Sequence, residues 1–379
     1  MVKINIVGDF CVPNLAGLHF DKGLADFLRE GDVNAVNLES PIVSKDAKQI
    51  LKSGPSLRQD EKACEFLKNQ GFNLFSLANN HFMDYGRDAA LDTINRLNDS
   101  VTLGCDSWND AYQYKVIEVD HIKIAFLAIT QYEFGVLNER SYGDDFGTAW
   151  LLHPSIDEWI IKAKKNSDIL ILLPHAGLEH FDYPLPELRT LYRHYVSMGA
   201  DAIVANHPHV PQPFENYCKV PIFYSLGNFV FDALSPQNQW WYRGLLVHLR
   251  IDLDKHLDFS IKPICFDKEH REVKFDSDIS FGHHIEKINS IFKDEKQYID
   301  AVNSHSLSLE YLYDYQFECG GYFRPNIKKY LKEVVIRLKE KFLGKKLNQF
   351  NSAAFINNLR CEPHRWVLSR IYELKNNIQ

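Results

Sequence analysis

Alternation of strand-like and helix-like segments is the feature that most constrains the fold of this 379-residue chain. Apolar runs typical of buried strands cover 2–7, 33–38, 73–78, 122–129, 168–174, 201–205 and 221–226. Stretches with helical apolar spacing lie between them, at 21–29, 60–70, 86–98, 154–165 and 184–198. This order predicts a layered α/β domain with helices outside the sheets.

Two pairs of neighbouring runs predict hairpins, 112–119 with 122–129 and 244–253 with 257–266. The sheets are therefore expected to be mixed rather than purely parallel. After about residue 270 the pattern changes to predicted helices at 283–304, 326–343 and 353–376. We expect an α/β domain over residues 1–270 and a helical C-terminal extension over residues 271–379.

The composition is that of a globular enzyme, with 45% hydrophobic residues, 25% charged residues and a formal charge of −7. Such a charge argues against a dedicated nucleic-acid binder. The seven cysteines contain no CxxC pair and predict reduced thiols. No secretory pattern begins the sequence and no apolar run is long enough to span a bilayer. We expect a cytoplasmic protein without membrane insertion; the sequence leaves its oligomeric state open.

Two carboxylates each follow an apolar run. Asp9 follows 2–7 and a glycine, and Glu39 directly follows 33–38. Ligands of open α/β sheets bind at such carboxyl-terminal strand ends. A carboxylate can also bridge two cations, because each oxygen carries free lone pairs. Taken alone, either residue is better explained as a helix cap or turn acid.

The segment Asn79-Asn80-His81 follows another apolar run. An asparagine oxygen is an uncommon but suitable metal ligand, and the adjacent histidine is placed to handle protons. The alternative is that Asn79 and Asn80 cap a turn and that His81 packs in the core.

Imidazoles end two further runs, at His175 and at His207-Pro208-His209. Proline favours an extended conformation at the residue before it, and in an extended stretch positions 207 and 209 face the same way. A chance loop triplet is the alternative. Carboxylate, amide and imidazole groups nevertheless recur in order after successive strands, which is the ligand mix of a site for two divalent cations.

Four segments carry a resemblance to a known family: Asn37-Leu38-Glu39-Ser40-Pro41, the stretch 77–86 (LANNHFMDYG), His207-Pro208-His209-Val210 and the stretch 224–231 (YSLGNFVF). They resemble signatures of the capsule-synthesis CapA (poly-γ-glutamate synthesis) family, a branch of the calcineurin-like metallophosphoesterase superfamily. The resemblance covers about residues 1–250. It implies a four-layer αββα sandwich of two mixed sheets and a dinuclear metal-dependent hydrolase of phosphoesterase type, linked to capsule or poly-γ-glutamate polymer metabolism.

The resemblance also implies a division of roles. Two divalent ions, manganese, zinc or iron, are expected as cofactors, and His81 is expected beside the reacting ester as the catalytic residue. The implied ligands are Asp9 and His209 for one ion, Asn80, His175 and His207 for the other, and Glu39 for both.

Four further positions are candidates for the same site. Cys11 stands where the superfamily often has a histidine; it is either a thiolate ligand suited to zinc or iron, or a bystander. Asn79, Asn228 and Glu179 are expected on the substrate side of the site. For Asn228 the alternative is a Gly-Asn turn, and for Glu179 it is the orientation of a metal-binding imidazole.

The implied substrate is an anionic small molecule or polymer. Two alternatives to a phosphoesterase remain open from the sequence. One is a γ-glutamyl amide hydrolase or transferase, because dinuclear metal centres also hydrolyse amides. The other is a non-catalytic component of a polymer-synthesis complex.

Overall fold

The structure is a computed structural model that describes residues 1–44, 46–108, 110–310, 313 and 352–376. It divides into two compact units, one of residues 1–50 and 56–300, and the other of residues 51–55 and the described part of 301–379. The helix predicted at 326–343 lies outside the described residues. The predicted domain boundary after residue 270 stays a prediction.

The described residues contain seventeen strands. In chain order they are β1 Val2–Cys11, β2 His19–Phe20, β3 Val33–Leu38, β4 Leu74–Ser76, β5 Val101–Leu103, β6 Cys105–Ser107, β7 Lys115–Val119, β8 Ile122–Thr130, β9 Phe146–Thr148, β10 Ile169–His175, β11 Ala202–Val204, β12 Phe214–Tyr217, β13 Val220–Phe223, β14 Asn228–Phe231, β15 Arg243–Ile251, β16 Leu257–Asp267 and β17 Glu272–Phe275.

The helices follow the predicted positions closely up to residue 200. They are α1 Lys22–Arg29, α2 Ala63–Asn69, α3 Gly86–Arg96, α4 Ile156–Lys165, α5 Pro186–Ser197, α6 Ile279–Asn289 and α7 Glu295–Ser308, with a 3-10 turn at Ser290–Lys293 between the last two. Two more helices, Ser352–Arg360 and Glu362–Asn376, lie in the C-terminal unit.

The strands form two large mixed sheets and one small ribbon. The nine-stranded sheet has the order β2-β17-β16-β15-β1-β3-β4-β5, with β14 also paired to β1. The six-stranded sheet has the order β12-β13-β11-β10-β8-β7, and β6 pairs with β9. Both predicted hairpins are confirmed, since β7 pairs antiparallel with β8 and β15 with β16.

The two large sheets pack face to face through alternate residues of their strands. Ile4 and Ile6 of β1 share one apolar cluster with Phe126 of β8 and Ile171 of β10. Because successive side chains of a strand point to opposite faces, these residues fix which face of each sheet is internal.

The outer face of each sheet is also apolar and is covered by helices. Ala125 and Leu127 of β8 are fully buried although they point away from the inter-sheet core, and α4 packs on β8 and β10. On the other sheet, Leu24, Leu67 and Ala90 of α1, α2 and α3 join a second cluster. The predicted four-layer αββα sandwich with C-terminal helices is therefore confirmed.

Two predicted helices are each divided in the structure. The helix predicted at 283–304 breaks at Asp294, which is extended and whose side chain accepts a hydrogen bond from Gln297 N. Asp294 thus caps α7 rather than continuing α6. The helix predicted at 353–376 breaks at Cys361, because Pro363 lacks an N–H and is tolerated only in a first helical turn.

Two predictions about the chain as a whole can be compared with the described residues. Cys11, Cys64, Cys105, Cys218, Cys265 and Cys361 are free thiols. None of the helices that the structure describes combines the length and the apolar character needed to cross a membrane.

Candidate metal centre

The centre begins where β1 meets β14 and β3. Asp9 on β1 lies opposite Asn228 on β14 and Asn37 on β3. A Cβ atom built on Gly8 would lie 1.8 Å from the carbonyl oxygen of Gly227, so a glycine is required for β1 to approach this turn. The close approach brings Asp9 and Asn228 to one sheet edge, as expected for strand-end ligands.

Asn37 connects the two sheets at this edge. Its side-chain nitrogen donates to Asp9 Oδ1 at 2.8 Å and lies 3.2 Å from His175 Nδ1. Its oxygen accepts a hydrogen bond of 3.1 Å from Asn79 Nδ2, which fixes the orientation of the amide. The carboxylate on β1 and the imidazole at the end of β10 are thereby held together.

The second nitrogen of His175 faces three other atoms that could bind a metal. His175 Nε2 lies 3.0 Å from Asn80 Oδ1, 3.1 Å from His207 Nδ1 and 3.8 Å from Glu39 Oε1. Ligand atoms that share one cation at about 2.0–2.2 Å lie about 3–3.5 Å apart in tetrahedral or octahedral geometry. The distances from His175 Nε2 to Asn80 Oδ1 and to His207 Nδ1 both fall in this range, as a shared cation requires.

His209 closes the other side of the centre. Its Nδ1 lies 2.9 Å from Asn228 Oδ1 and 3.6 Å from Asp9 Oδ2, and its Nε2 lies 3.7 Å from Glu39 Oε1. Asn228 donates from Nδ2 to the Trp241 carbonyl at 2.9 Å, so its oxygen must face His209. His209 therefore donates from Nδ1, and Nε2 keeps the lone pair that a metal requires.

Glu39 lies between His175 and His209. Both of its carboxylate oxygens are buried and neither has a hydrogen-bond partner. Burial, together with the nearby charges of Asp9 and Glu179, raises the pKa of Glu39 well above its usual range. An unpaired buried carboxylate is costly, and a cation would supply the missing partner. Ligating atoms of Asp9, Glu39 and His175 lie within 4.8 Å of one another, which fits such an ion.

Burial also sets the protonation of the neighbouring ligand candidates. It raises the pKa of Asp9 to about 6, against the lowering effects of His209 and Asn37. It lowers the pKa of His175 well below its usual value, with His207, His209 and His81 adding to the effect. A neutral imidazole is the form that binds a metal, so the environment of His175 suits a ligand.

His81 lies beside this centre and is paired with an acid. His81 Nδ1 is 2.7 Å from Asp84 Oδ2, and the same oxygen accepts a 2.7 Å hydrogen bond from Leu57 N. Asn79 holds the turn, since it accepts from His81 N at 3.2 Å and donates to the Leu38 carbonyl at 3.0 Å. The expected contact of Asn79 with substrate stays a prediction.

The His207-Pro208-His209 segment reaches the centre by a route that the sequence did not predict. His207 and His209 both have positive φ, 104° and 56°, so the segment is not extended and the expected geometry is wrong. Both imidazoles still point to the same centre. Gly177, with φ 149°, allows the approach, because a Cβ atom there would lie 2.7 Å from Pro208 Cγ.

Cys11 and Glu179 lie at the margins of the centre. Cys11 Sγ is fully buried, 3.2 Å from Ser40 Oγ and 3.9 Å from the Arg58 carbonyl, and burial raises the pKa of this thiol well above its usual range. Glu179 has a side chain that is 48% exposed and 3.7 Å from His180 Nε2. Partial loss of solvent around the carboxylate raises the pKa of Glu179. The charges of His207 and the other nearby histidines have the larger, opposite effect and lower this pKa to about 2. The roles of both residues stay predictions.

Sequence analysis missed two residues that contact the centre, Gln131 and His180. Gln131 Nε2 lies 2.9 Å from His207 Nε2, and Gln131 Oε1 accepts a 2.9 Å hydrogen bond from Gly177 N. Gln131 is a polar residue just after β8, the same signal that identified Asp9 and Glu39. His180 stacks on His209 with ring centroids 6.0 Å apart and has no comparable position after a strand.

The sequence model of the family described as "Bacterial capsule synthesis protein PGA_cap" matches residues 19–233, more than half of the chain. The chain belongs to this family. Within the bacterial capsule synthesis proteins, it is 32% identical over 219 residues to "Capsule biosynthesis protein CapA" of Bacillus anthracis, covering 55% of this chain and 53% of that protein. It is 32% identical over 247 residues to "PGA biosynthesis protein CapA" of Bacillus subtilis (strain 168), covering 62% of each.

The chain thus spans between 53% and 62% of the length of these two capsule synthesis relatives. Among solved structures, it is similar to a hypothetical protein from Thermus thermophilus, with a TM-score of 0.43 and 16% identity over 69% of this chain and 99% of that one. The family match begins at residue 19 and so includes every ligand candidate except Asp9 and Cys11.

Proposed function

We propose that this chain is a dinuclear metal-dependent hydrolase of the phosphoesterase type that acts on an anionic substrate in capsule-type polymer metabolism. The observation that carries the proposal is Glu39. Its two buried oxygens have no hydrogen-bond partner, and Oε1 lies between His175 Nε2 at 3.8 Å and His209 Nε2 at 3.7 Å. This is the environment expected of a carboxylate that bridges two cations.

The ligand residues would divide between two positions. Asp9 and His209 would hold one ion, the atoms grouped around His175 Nε2 would hold the other, and Glu39 would contact both. The oxygen and nitrogen donors suit manganese, zinc or iron. When bound, two such ions lower the pKa of water and neutralise charge on a phosphoryl oxygen.

His81 is the residue that we assign to the departing group. Its Nδ1 lies 2.7 Å from Asp84 Oδ2, which orients the ring, and we assign Nε2 to the substrate. Protonated at Nε2, the imidazole donates a hydrogen bond to the leaving oxygen and neutralises its developing charge. Asn79 fixes the backbone of His81, so the ring is positioned before substrate binds.

A second candidate is hydrolysis or transfer of a γ-glutamyl amide on the same metals. It is favoured by the similarity to a PGA biosynthesis protein of Bacillus subtilis, together with the poly-γ-glutamate metabolism that the family resemblance implies. A third candidate, which family membership also allows, is a non-catalytic role in polymer synthesis. A cytoplasmic location stays a prediction, in keeping with the free thiols of the six cysteines that the structure describes.

One set of assays separates the three. The protein is reconstituted with Mn²⁺ or Zn²⁺, its metal content is measured, and turnover of p-nitrophenyl phosphate and of γ-glutamyl p-nitroanilide is compared. We expect two ions per chain and phosphate turnover that His81→Ala abolishes, with the exposed His19→Ala as the matched control. Turnover of the anilide alone would favour the amide reaction. Absence of both reactions in metal-loaded protein would leave the non-catalytic reading.

A further inference from the structure

Two buried side-chain amides face imidazoles of the centre, and they do so with opposite atoms. At His209 the contacting atom is an oxygen, since Asn228 Oδ1 lies 2.9 Å from Nδ1. At His207 it is a nitrogen, since Gln131 Nε2 lies 2.9 Å from Nε2. An amide oxygen accepts hydrogen bonds, whereas an amide nitrogen only donates them. The two imidazoles are therefore held with their protons in different places relative to the centre.

The orientation of the Gln131 amide is fixed by two further contacts. Its oxygen accepts a 2.9 Å hydrogen bond from Gly177 N, and its nitrogen donates to Glu133 Oε1 at 2.7 Å. Turning the amide over would place its oxygen against the Glu133 carboxylate and its nitrogen against the Gly177 N–H. Gln131 is 1% exposed, so solvent would not replace the two lost bonds. The nitrogen of Gln131 is thus held toward His207.

This contact opposes metal binding through His207. A neutral imidazole that accepts a hydrogen bond at Nε2 carries its proton on Nδ1. Nδ1 is the nitrogen that lies 3.1 Å from His175 Nε2, on the side where an ion would be shared. To free Nδ1, the proton has to move to Nε2, where it meets the Gln131 donor, or the Gln131 amide has to turn over. Either change breaks hydrogen bonds of buried groups.

His209 needs no such change. Asn228 accepts the proton of its Nδ1, and Nε2 already has its lone pair free. The outer contact at His209 thus favours a bound ion, whereas the outer contact at His207 disfavours one.

We propose that Gln131 is a positioning residue that lowers the affinity of the metal position formed with His207, by holding this imidazole in the tautomer whose proton faces the ion. The inference rests on the proposed function for the two metal positions. Gln131 acts through His207 and contacts no ion itself. Removing or reversing its hydrogen bond should therefore strengthen metal binding, which is the opposite of what loss of a supporting contact would do.

The sharpest variant reverses the hydrogen bond without changing the charge. Gln131→Glu combined with Glu133→Gln keeps the shapes and the net charge of this pair, but it presents an acceptor oxygen to His207 Nε2. The single variant Gln131→Met removes the donor and adds no charge. Should the double variant fail to fold, which thermal unfolding of each protein would show, the single variant still tests the proposal.

The measurement is calorimetric titration of metal-free protein with Mn²⁺, without any assay of turnover. Each substitution is made in wild type and in Asp9→Asn, a background that removes a ligand of the other position. The matched control is Gln212→Met, because Gln212 is 3% exposed and donates from Nε2 to the Phe181 carbonyl at 2.8 Å.

We expect the double variant to bind the ion of the His207 position about 10- to 100-fold more tightly than wild type, the usual size of an outer contact to a metal-binding histidine. Gln131→Met should tighten the same binding step by about 2- to 10-fold, the size of one net hydrogen bond. The binding step of the Asp9–His209 position should stay unchanged in both, and Gln212→Met should titrate like wild type.

Two results would overturn the inference and leave a dinuclear centre standing. One is weaker or unchanged binding at the His207 position in both variants, because Gln131 would then support that position or be neutral to it. The other is an equal gain at both positions in the double variant, which would indicate a general effect of charge. Wild type that bound no ion would overturn the proposed function and this inference together.

Discussion

The side-chain oxygen of Asn228 lies 2.9 Å from Nδ1 of His209 and determines which nitrogen of that imidazole is free. The orientation of the amide is itself fixed, because Asn228 Nδ2 donates to the Trp241 carbonyl. A metal site built on His209 therefore depends on a residue that contacts no ion. Outer contacts of this kind orient the imidazole and raise its basicity.

Replacement of Asn228 by alanine should weaken metal binding at the Asp9–His209 position by roughly 10- to 100-fold, the usual effect of removing such a contact. Calorimetric titration of metal-free protein with Mn²⁺ or Zn²⁺ measures the change. Asn216→Ala, an exposed asparagine on β12, is the matched control. Unchanged affinity at both positions in Asn228→Ala would contradict the orienting role.

Replacement of Glu39 by glutamine should have opposite effects with and without metal. In metal-free protein the change removes a buried, unpaired charge and should raise the free energy of unfolding by about 1–3 kcal/mol. In the presence of excess metal it removes a ligand of both ions, so the variant should gain less stability from metal than wild type. Thermal unfolding with and without Mn²⁺ measures both.

Asp9→Asn is the comparison for Glu39→Gln, because Asp9 would contact only one ion. It should retain the ion held around His175, whereas Glu39→Gln should lose both. If Glu39→Gln kept both ions after dialysis, a bridging role for this carboxylate would be ruled out.

The stability of metal-free protein should reveal the raised pKa of Asp9. The pKa is about 6 in the fold, against 3.8 for an ordinary aspartate, so the native state binds the proton more tightly than the unfolded chain. The stability from this group is complete below about pH 3.8 and is lost as pH rises through 6. Asp9→Asn avoids that loss and should exceed wild type by of the order of 3 kcal/mol at pH 7.

The difference between these two proteins should shrink toward zero as pH falls from 7 to 4. Urea unfolding of metal-free wild type and Asp9→Asn at several pH values measures it. His175, whose lowered pKa makes the fold lose stability below pH 6.5, is present in both proteins, so the comparison is made between them at each pH. A difference that did not change with pH would show that Asp9 is not the titrating group.

Asp84→Asn should reduce kcat of phosphate hydrolysis by roughly 10- to 100-fold while leaving metal content unchanged. The reason is that Asp84 acts through His81, which it holds at 2.7 Å, rather than on an ion. The variant should also lose about 1–2 kcal/mol of stability, because Leu57 N shares the same acceptor. Asp88→Asn, an exposed residue of α3, is the matched control. Loss of metal in Asp84→Asn would contradict this assignment.

Local patterns predicted much of the fold and the composition of the centre. The strands that carry or precede Asp9, Glu39 and His175 were visible because buried strands are apolar runs, and a polar residue after such a run is conspicuous. The same patterns missed the breaks at Asp294 and Cys361, since a cap inside a helical sequence changes its periodicity little.

The connections between the ligand candidates could not be read from the sequence. Asn37 reaches both Asp9 and His175 only because the pairing of β1 and β3 shifts register between Ile6 and Asp9. The positive φ angles of His207 and His209 depend on neighbouring segments, among them the close approach of Gly177. Such features arise from tertiary packing and leave no periodic signal in the chain.

The approach of Gly8 to the Gly227 carbonyl has a practical consequence for protein engineering. Any side chain at position 8 would force the backbone of β1 away from the turn before β14, and Asp9 and Asn228 would separate with it. Grafting the ligand side chains onto another sandwich would therefore fail unless the backbone segments around Gly8 and Gly227 were transplanted as well.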